Sequence, residues 1–277
     1  STNTQSQNIF RRLFSNFGEK LQIAITRFPL TFACVIAVAV LFVLAIHTDT
    51  DNIYMKWIMA GVVSAFGTLA IYIFAEYRLK KLLTTVINTV FIGLIFRLFF
   101  SFSNNISDAN AMQFVILAMS FFIAMFFAGY ISEKNSLRWW DNLQDTLFHL
   151  VISAFFAGVL MAGLSLAVVS LDKLFGLKIN DEMYAYLGVF CFVLFMPSYF
   201  LSQLSEKTAS DESFSISYPM IFKILGLYIL LPILSIYTLI LYGYLFKIIA
   251  TWELPNGWVS WLVSILGFVG FLTMVIL

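Results

Sequence analysis

Charged side chains are scarce in this sequence: Asp, Glu, Lys and Arg make up 11% of 277 residues, whereas hydrophobic residues make up 61%. Soluble domains carry about 25% charged residues, so this chain lacks the surface of a soluble globular protein. The formal net charge of +1 leaves no basic excess for binding a polyanion. We therefore expect a membrane protein with the lipid bilayer, and no nucleic acid, as its partner.

Residues that carry most enzyme chemistry are also rare. The two cysteines, Cys34 and Cys191, both fall in apolar segments, where they act as small hydrophobic residues rather than as a disulfide framework. There are two histidines, and the sequence contains no phosphate-binding loop, dinucleotide fingerprint or H-E-x-x-H metal motif. We expect no catalytic residues, no cofactor and no enzymatic activity.

Long apolar runs occupy most of the chain, and each is long enough for a helix to cross a bilayer, which takes about 20 residues. None carries a carboxylate in its middle, which disfavours proton or sodium coupling. Only helices and closed barrels satisfy their backbone in lipid, and these runs lack the alternating pattern of barrel strands. The sequence predicts an all-α bundle of about eight spans, at residues 28–46, 57–75, 82–100, 111–131, 147–171, 183–201, 220–250 and 258–277.

Basic residues are distributed unevenly between the two ends of these spans. Eleven of the 16 Lys and Arg lie in the N-terminal segment and the even-numbered loops, and four lie near the opposite ends. Because Lys and Arg concentrate on the cytoplasmic side, this asymmetry predicts a cytoplasmic N-terminus for a multi-pass protein of the bacterial inner membrane.

The chain divides into an N-terminal segment, residues 1–27, and a transmembrane domain, residues 28–277. Apolar residues recur at helical spacing between Phe10 and Ile25, with Arg and Lys on the remaining faces. Such a helix lies in the cytoplasmic membrane interface or packs on the bundle, and both alternatives stay open. The apolar end at Leu277 predicts that further chain follows.

The seventh predicted span carries the clearest polar line. Its 31 residues would extend roughly 46 Å, longer than the hydrocarbon core. Tyr228, Ser235, Thr238 and Tyr242 share one helical face, and Pro232 lies on or beside it and denies the Tyr228 carbonyl a hydrogen bond. This face lines a polar cavity or packs against another helix.

Two polar residues in the third span, Asn88 and Arg97, are further candidates for lining a cavity. They project about half a revolution apart. Asn88 is suited to hydrogen bonding between helices, and Arg97 is close enough to the outer end to extend to the interface. In the fifth span, the series Ala154-x3-Gly158-x3-Ala162 predicts a close-packing face.

Asp141, Asp145 and His149 are spaced four residues apart and share a helical face. Carboxylate and imidazole groups both bind divalent metals. The adjacent Trp139 and Trp140 are typical of an interfacial helix. We interpret the polar face as solvated and expect no metal site.

The region around the seventh span resembles a known family. The quoted segments are Met196-Pro197-Ser198-Tyr199-Phe200-Leu201, the run from Tyr218-Pro219-Met220 to Tyr242-Gly243-Tyr244, and Glu253-Leu254-Pro255-Asn256-Gly257-Trp258. Together they are similar to a family of uncharacterised bacterial multi-pass membrane proteins, domain-of-unknown-function family 4153. The resemblance implies an inner-membrane protein with more chain after its membrane helices, and it supplies no activity or site residues.

Two functions remain open from the sequence. One is a permease-like domain that handles a small solute or lipid without an intramembrane carboxylate for ion coupling. The other is a non-catalytic membrane subunit or anchor that assembles with an envelope partner or with its own C-terminal domain. A polar cavity inside the bundle favours the first, and a solidly packed bundle with a flat apolar flank favours the second.

Overall fold

The computed structural model describes residues 18–48, 51–76, 78–101, 108–132, 136–176, 179–204, 225–251 and 258–276. Within these ranges helix is the only regular secondary structure, which confirms the predicted all-α class. The α-helices are α1 (Pro29–Thr48), α2 (Asp51–Ala75), α3 (Lys81–Phe100), α4 (Asp108–Ser132), α5 (Ser136–Phe175), α6 (Glu182–Gly188), α7 (Met196–Gln203), α8 (Leu231–Thr251) and α9 (Trp258–Ile276). Two π-helical segments, Val189–Phe195 and Leu225–Leu230, directly precede α7 and α8.

The helix lengths agree with the predicted spans. In the described part, 7 helical stretches are long and apolar enough to cross a membrane. The eighth predicted span corresponds to α9, in which Ser260–Phe271 forms a shorter apolar helix. The chain is therefore a polytopic membrane protein, and the side on which its N-terminus lies stays a prediction.

Helix α5 differs most from its predicted bounds. It has 40 residues and extends roughly 60 Å, twice the thickness of a hydrocarbon core. The predicted loop at 132–146 is therefore helical from Ser136 onward. Its first turns contain charged residues as well as Trp139 and Trp140, which lowers the hydropathy without lowering the helix propensity. Hydropathy thus places the spanning part of α5 correctly but misses its polar extension.

Both π-helical segments end next to a proline. Pro197 is the second residue of α7 and Pro232 the second residue of α8. Proline has no N–H for the carbonyl four residues earlier, and its ring clashes with that carbonyl in an ordinary α-helical turn. A wider π turn relieves this crowding. The sequence predicts that Pro232 interrupts the backbone hydrogen bonds of this helix. In the structure, the π-helical segment Leu225–Leu230 lies directly before it.

The described residues belong to two compact units. The first comprises Ser1–Ser153 and Phe192–Ser205, and the second comprises Ala154–Cys191 and Glu206–Leu277.

The first unit is built around the start of α1 and the end of α2. Phe28, Phe32, Tyr72 and Leu201 are buried together in its main core cluster, and the rings of Phe28 and Tyr72 meet edge to face at 5.8 Å. A second cluster, which includes Val63, lies nearer the other end of α2.

Residues 18–27 form a helix that continues into α1. The Phe28 amide donates to the Ala24 carbonyl at 2.8 Å, and the Phe32 amide donates to the Phe28 carbonyl at 3.1 Å. Ala24 is buried in the core of the first unit, whereas Ile23 and Ile25 are exposed. The last turns of the predicted amphipathic segment therefore pack on the bundle along one face, and residues 1–17 lie outside the described residues.

In the second unit, α5 and α8 are joined by polar contacts at two levels. The Tyr237 hydroxyl donates to the Gly163 carbonyl at 3.2 Å. The Lys247 ammonium donates to the Leu174 carbonyl at 2.9 Å. Because Leu174 lies in the last turn of α5, this cation satisfies a carbonyl at the negative end of the helix dipole.

Candidate functional site

Helix α2 carries a line of polar residues that we name the polar ladder: Ser64, Thr68, Tyr72 and Glu76. These residues are spaced four apart, so they occupy neighbouring positions along one side of the helix. Ser64, Thr68 and Tyr72 are buried, and Glu76 directly follows the last residue of α2. The ladder extends from the helix end toward the middle of the span over roughly 18 Å.

An ion pair lies at the Glu76 end of the ladder. The Arg27 guanidinium donates to both Glu76 carboxylate oxygens, at 2.6 Å and 2.7 Å, and to the Leu204 carbonyl at 2.9 Å. The Arg27 side chain is 13% exposed and the Glu76 side chain 28% exposed. Its guanidinium also lies 4.9 Å from the Phe28 ring centroid. A bidentate pair with this burial is stronger than a surface ion pair.

Helix α1 contributes a second pairing deeper in the bundle. The hydroxyls of Thr31 and Thr68 are 3.0 Å apart, and both side chains are buried. Thr31 lies about one helical turn after Arg27, and Thr68 lies about two turns before Glu76. Two helices therefore present polar residues to each other from the ion pair inward, and sequence periodicity on each helix positions them.

Helix α3 contributes a buried amide, Asn88, whose hydrogen-bonding groups are unsatisfied in the part of the chain that the structure describes. Asn88 is 0% exposed, and within the described ranges neither its amide nitrogen nor its amide oxygen has a hydrogen-bond partner. The Tyr72 hydroxyl lies near the Leu30 backbone and the Thr85 and Asn88 side chains, yet it too makes no hydrogen bond to any described residue. We name this place, between α1, α2 and α3, the Tyr72–Asn88 site.

Leaving these groups unpaired is energetically costly. A buried polar group without a partner costs about 1–3 kcal/mol in proteins, and water cannot reach such a group from a hydrocarbon core. Asn88 lies seven residues into α3, roughly 10 Å along the helix axis. The site therefore combines an acceptor oxygen, an amide donor and a phenol hydroxyl, all available to a bound molecule.

The polar face of the seventh predicted span has a different environment. The Ser235 hydroxyl donates to the Leu231 carbonyl at 2.9 Å, and the Thr238 hydroxyl donates to the Leu234 carbonyl at 2.8 Å. Ser235 and Pro232 are exposed, and Thr238 is half-buried. These two hydroxyls are thus already satisfied by their own helix.

The tyrosines of α8 divide between its two sides. Tyr242 is 59% exposed, whereas Tyr237 and Tyr244, on the opposite side, are buried. The side chain of Tyr228 lies outside the described residues. The predicted face of Ser235, Thr238 and Tyr242 is consequently less buried than the side of Tyr237 and Tyr244, and its role as a cavity lining stays a prediction.

An open groove does run beside Tyr242, between α8 and α9. Its volume is about 320 Å³. Its lining residues include Thr238, Leu241, Tyr242, Leu245, Val263 and Leu266. Most of them are apolar, so this groove suits a hydrocarbon chain better than a hydrated solute.

The two predicted candidates in α3 are separated by the structure. Asn88 belongs to the buried side of the helix, whereas Arg97 is exposed in its last turn. This agrees with their predicted half-revolution separation. Asn88 joins the Tyr72–Asn88 site, and Arg97 does not.

Asp141, Asp145 and His149 all lie on α5, as their spacing requires. Asp145 is exposed and His149 half-buried, and the side chain of Asp141 lies outside the described residues. Among the residues that the structure describes, no three His, Cys, Asp or Glu side chains are grouped closely enough to hold a metal ion.

The fold and these sites define an integral multi-pass membrane protein with a buried, uncharged polar site in its first unit. Residues 23–277 match the model of a family described as a domain of unknown function, DUF4153, and the chain belongs to that family. The match extends the predicted resemblance over nearly the whole chain. No curated protein and no solved structure matches the chain significantly.

Proposed function

We propose that the chain is a permease-like domain of the bacterial inner membrane, which handles a small solute or lipid without enzymatic chemistry. One observation carries the proposal: the amide of Asn88 is fully buried, and neither of its polar atoms has a partner among the residues that the structure describes. Polar residues within membrane spans usually face the interior of the bundle or a water-filled cavity, and they often belong to a solute pathway. The absence of a carboxylate in the middle of the predicted spans agrees with a facilitator rather than an ion-coupled pump.

The polar ladder supports the same function because it connects this site to one end of the bundle. Tyr72 lies one turn from Glu76, at the end of α2 that we predict to be cytoplasmic, and Thr68 continues the line one turn deeper into the span. A permease opens its site to one side of the membrane at a time. In the conformation described here the site is closed, with Arg27 bound to Glu76 and to the Leu204 carbonyl at the predicted cytoplasmic end.

The proposal predicts that water reaches position 88 when the protein is in a membrane. In a variant in which Cys34 and Cys191 are replaced by Ala, we expect Asn88→Cys to react with a charged methanethiosulfonate reagent. Only the thiolate reacts, and it forms only where water is present. The measurement is the labelling rate in right-side-out and inside-out vesicles, and we expect faster labelling from the cytoplasmic side.

A matched control lies on the same helix. Val90 is 57% exposed on the side of α3 opposite Asn88, and we expect this side to contact lipid. We expect Val90→Cys to remain unlabelled in vesicles and to react after solubilisation and unfolding. If Cys at position 88 is as unreactive as Cys at position 90 from both sides, the site is a sealed part of the core and the permease proposal fails.

The second candidate, a non-catalytic membrane subunit or anchor, is favoured by α8 and α9. Large apolar side chains on these helices are strongly exposed, among them Leu239, Phe246, Trp261 and Phe268. Such a surface suits contact with lipid or with another membrane helix. This candidate takes precedence if position 88 is closed to water.

A further inference from the structure

The chemistry of the Tyr72–Asn88 site limits what it can bind. The side chains that the structure brings together there carry neutral groups: the amide of Asn88, the phenol of Tyr72, the hydroxyl of Thr85 and the thiol of Cys34. A charged ligand would have to leave water and find a counter-charge, since burying an unpaired ion costs far more than burying a neutral polar group. This environment disfavours ions.

The two charges one helical turn from Tyr72 and from Thr31 neutralise each other. Glu76 follows Tyr72 by one turn and Arg27 precedes Thr31 by one turn, and these two charges are bound to each other in a bidentate pair. Lys80 and Lys81, at the start of α3, are exposed to the surroundings of the unit. No net charge is therefore directed inward to the site from the residues that surround it in the described part of the chain.

Helices α2 and α3 pack closely beside the site. A Cβ atom added to Gly67, next to Thr68, would lie 2.3 Å from the Phe91 ring, and Phe91 is one helical turn beyond Asn88. This wall of ring and backbone limits the site to a small molecule. The available groups include two amide donors, an amide acceptor and a hydroxyl that both donates and accepts.

We propose that the Tyr72–Asn88 site selects small uncharged solutes that carry hydroxyl or amide groups, an inference that rests on the proposed permease function. Such solutes both donate and accept hydrogen bonds, so they match Asn88 and Tyr72 together. They need no counter-charge, which the site does not supply. The site thereby excludes inorganic ions and charged metabolites.

The test uses the purified chain in vesicles of equal parts phosphatidylcholine and phosphatidylglycerol. Stopped-flow light scattering measures the entry of glycerol and of urea, and ion-selective electrodes measure potassium and chloride. We expect glycerol and urea to enter faster than in protein-free vesicles, and potassium and chloride to enter at the protein-free rate. Asn88→Leu should reduce the protein-dependent part about tenfold, the effect of losing one buried hydrogen bond.

Two variants guard against misleading results. Thr89→Val changes an exposed residue whose hydroxyl bonds within α3, and it should leave entry of both solutes unchanged. Asn88→Ala is measured in parallel with Asn88→Leu. It also removes the amide, so it tests the same loss if the larger Leu side chain prevents folding. Helicity of each variant is verified by circular dichroism.

The outcomes separate this inference from the function on which it rests. Potassium or chloride entry that Asn88→Leu abolishes would overturn the selection for uncharged solutes. Absence of glycerol and urea entry, with Cys at position 88 reactive from water, would also overturn it while the permease function stands. Unreactive Cys at position 88 removes the permease function itself.

Discussion

Replacing Arg27 with Ala should destabilise the protein by about 2 kcal/mol, a value between those of exposed and fully buried ion pairs. The substitution removes three hydrogen bonds, to both Glu76 oxygens and to the Leu204 carbonyl. It also leaves a partly buried carboxylate without its counter-charge. The measurement is denaturant unfolding in detergent micelles, followed by circular dichroism.

Two further variants show whether the geometry or only the charge matters. Arg27→Lys keeps the charge but has no planar fork, so we expect about half of the loss. Lys80→Ala removes an exposed cation close to the same end of the bundle and should change stability by less than about 0.5 kcal/mol. An equal effect of Arg27→Ala and Lys80→Ala would show that the ion pair does not stabilise the first unit.

A double-mutant cycle isolates the pair itself. If Arg27 and Glu76 stabilise each other, the double variant Arg27→Ala, Glu76→Ala should lose less stability than the sum of the two single variants. Strict additivity would mean that Arg27 acts through Leu204 and the Phe28 ring alone.

Hydropathy was sufficient to predict the fold class because crossing a bilayer imposes one requirement on every span. About 20 apolar residues must follow one another with their backbone groups paired inside the helix. This requirement is local, so it can be read without knowledge of the neighbouring helices. The extension of α5 to Ser136 was missed because its polar first turns lie outside the apolar run.

The polar ladder was present in the sequence but was not recognised. Ser64, Thr68, Tyr72 and Glu76 repeat at four-residue intervals, which is the signal that singles out one side of a helix. Their importance depends on partners that are distant in sequence: Thr31 is 37 residues from Thr68, and Arg27 is 49 residues from Glu76. Periodicity identifies such a face, and tertiary packing decides which partners it meets.

The seventh span shows that periodicity also fails to predict which side of a helix is buried. Ser235, Thr238 and Tyr242 do share a face, as predicted, but periodicity does not say where that face is directed. The buried side of α8 is instead the side of Tyr237 and Tyr244. For Asn88 the reasoning was more direct, because an amide within an apolar span is costly to expose to lipid and is therefore turned inward.

The glycines of α5 show how far small-residue patterns can mislead. The series Ala154-x3-Gly158-x3-Ala162 predicted the close-packing face, and for Gly158 this prediction was wrong: a Cβ atom there would meet no atom within 4 Å in the part of the chain that the structure describes. Close packing occurs instead at Gly163, where an added Cβ would lie 2.5 Å from Cδ1 of Ile233 and 3.1 Å from its Cγ1 and Cγ2.

The same substitution at these two glycines should therefore have opposite effects. Gly158→Ala should stabilise the protein by about 0.5 kcal/mol, because Ala loses less conformational entropy in a helix and has room here. Gly163→Ala should destabilise it by about 2 kcal/mol through overpacking. Rotation about χ2 of Ile233 can move Cδ1 away but leaves Cγ1 and Cγ2 in place. Since χ1 of a β-branched residue is restricted in a helix, α5 and α8 must separate.

Separation of these helices would also lengthen the 3.2 Å hydrogen bond from the Tyr237 hydroxyl to the Gly163 carbonyl. Unfolding in detergent micelles measures both variants under identical conditions. Because the close contact belongs to one side chain, Gly163→Ala should cost less in an Ile233→Ala background than in the unchanged protein, with a coupling energy of about 1 kcal/mol. Equal effects at positions 158 and 163, or strict additivity of Gly163→Ala and Ile233→Ala, would show that α5 does not approach α8 through Gly163.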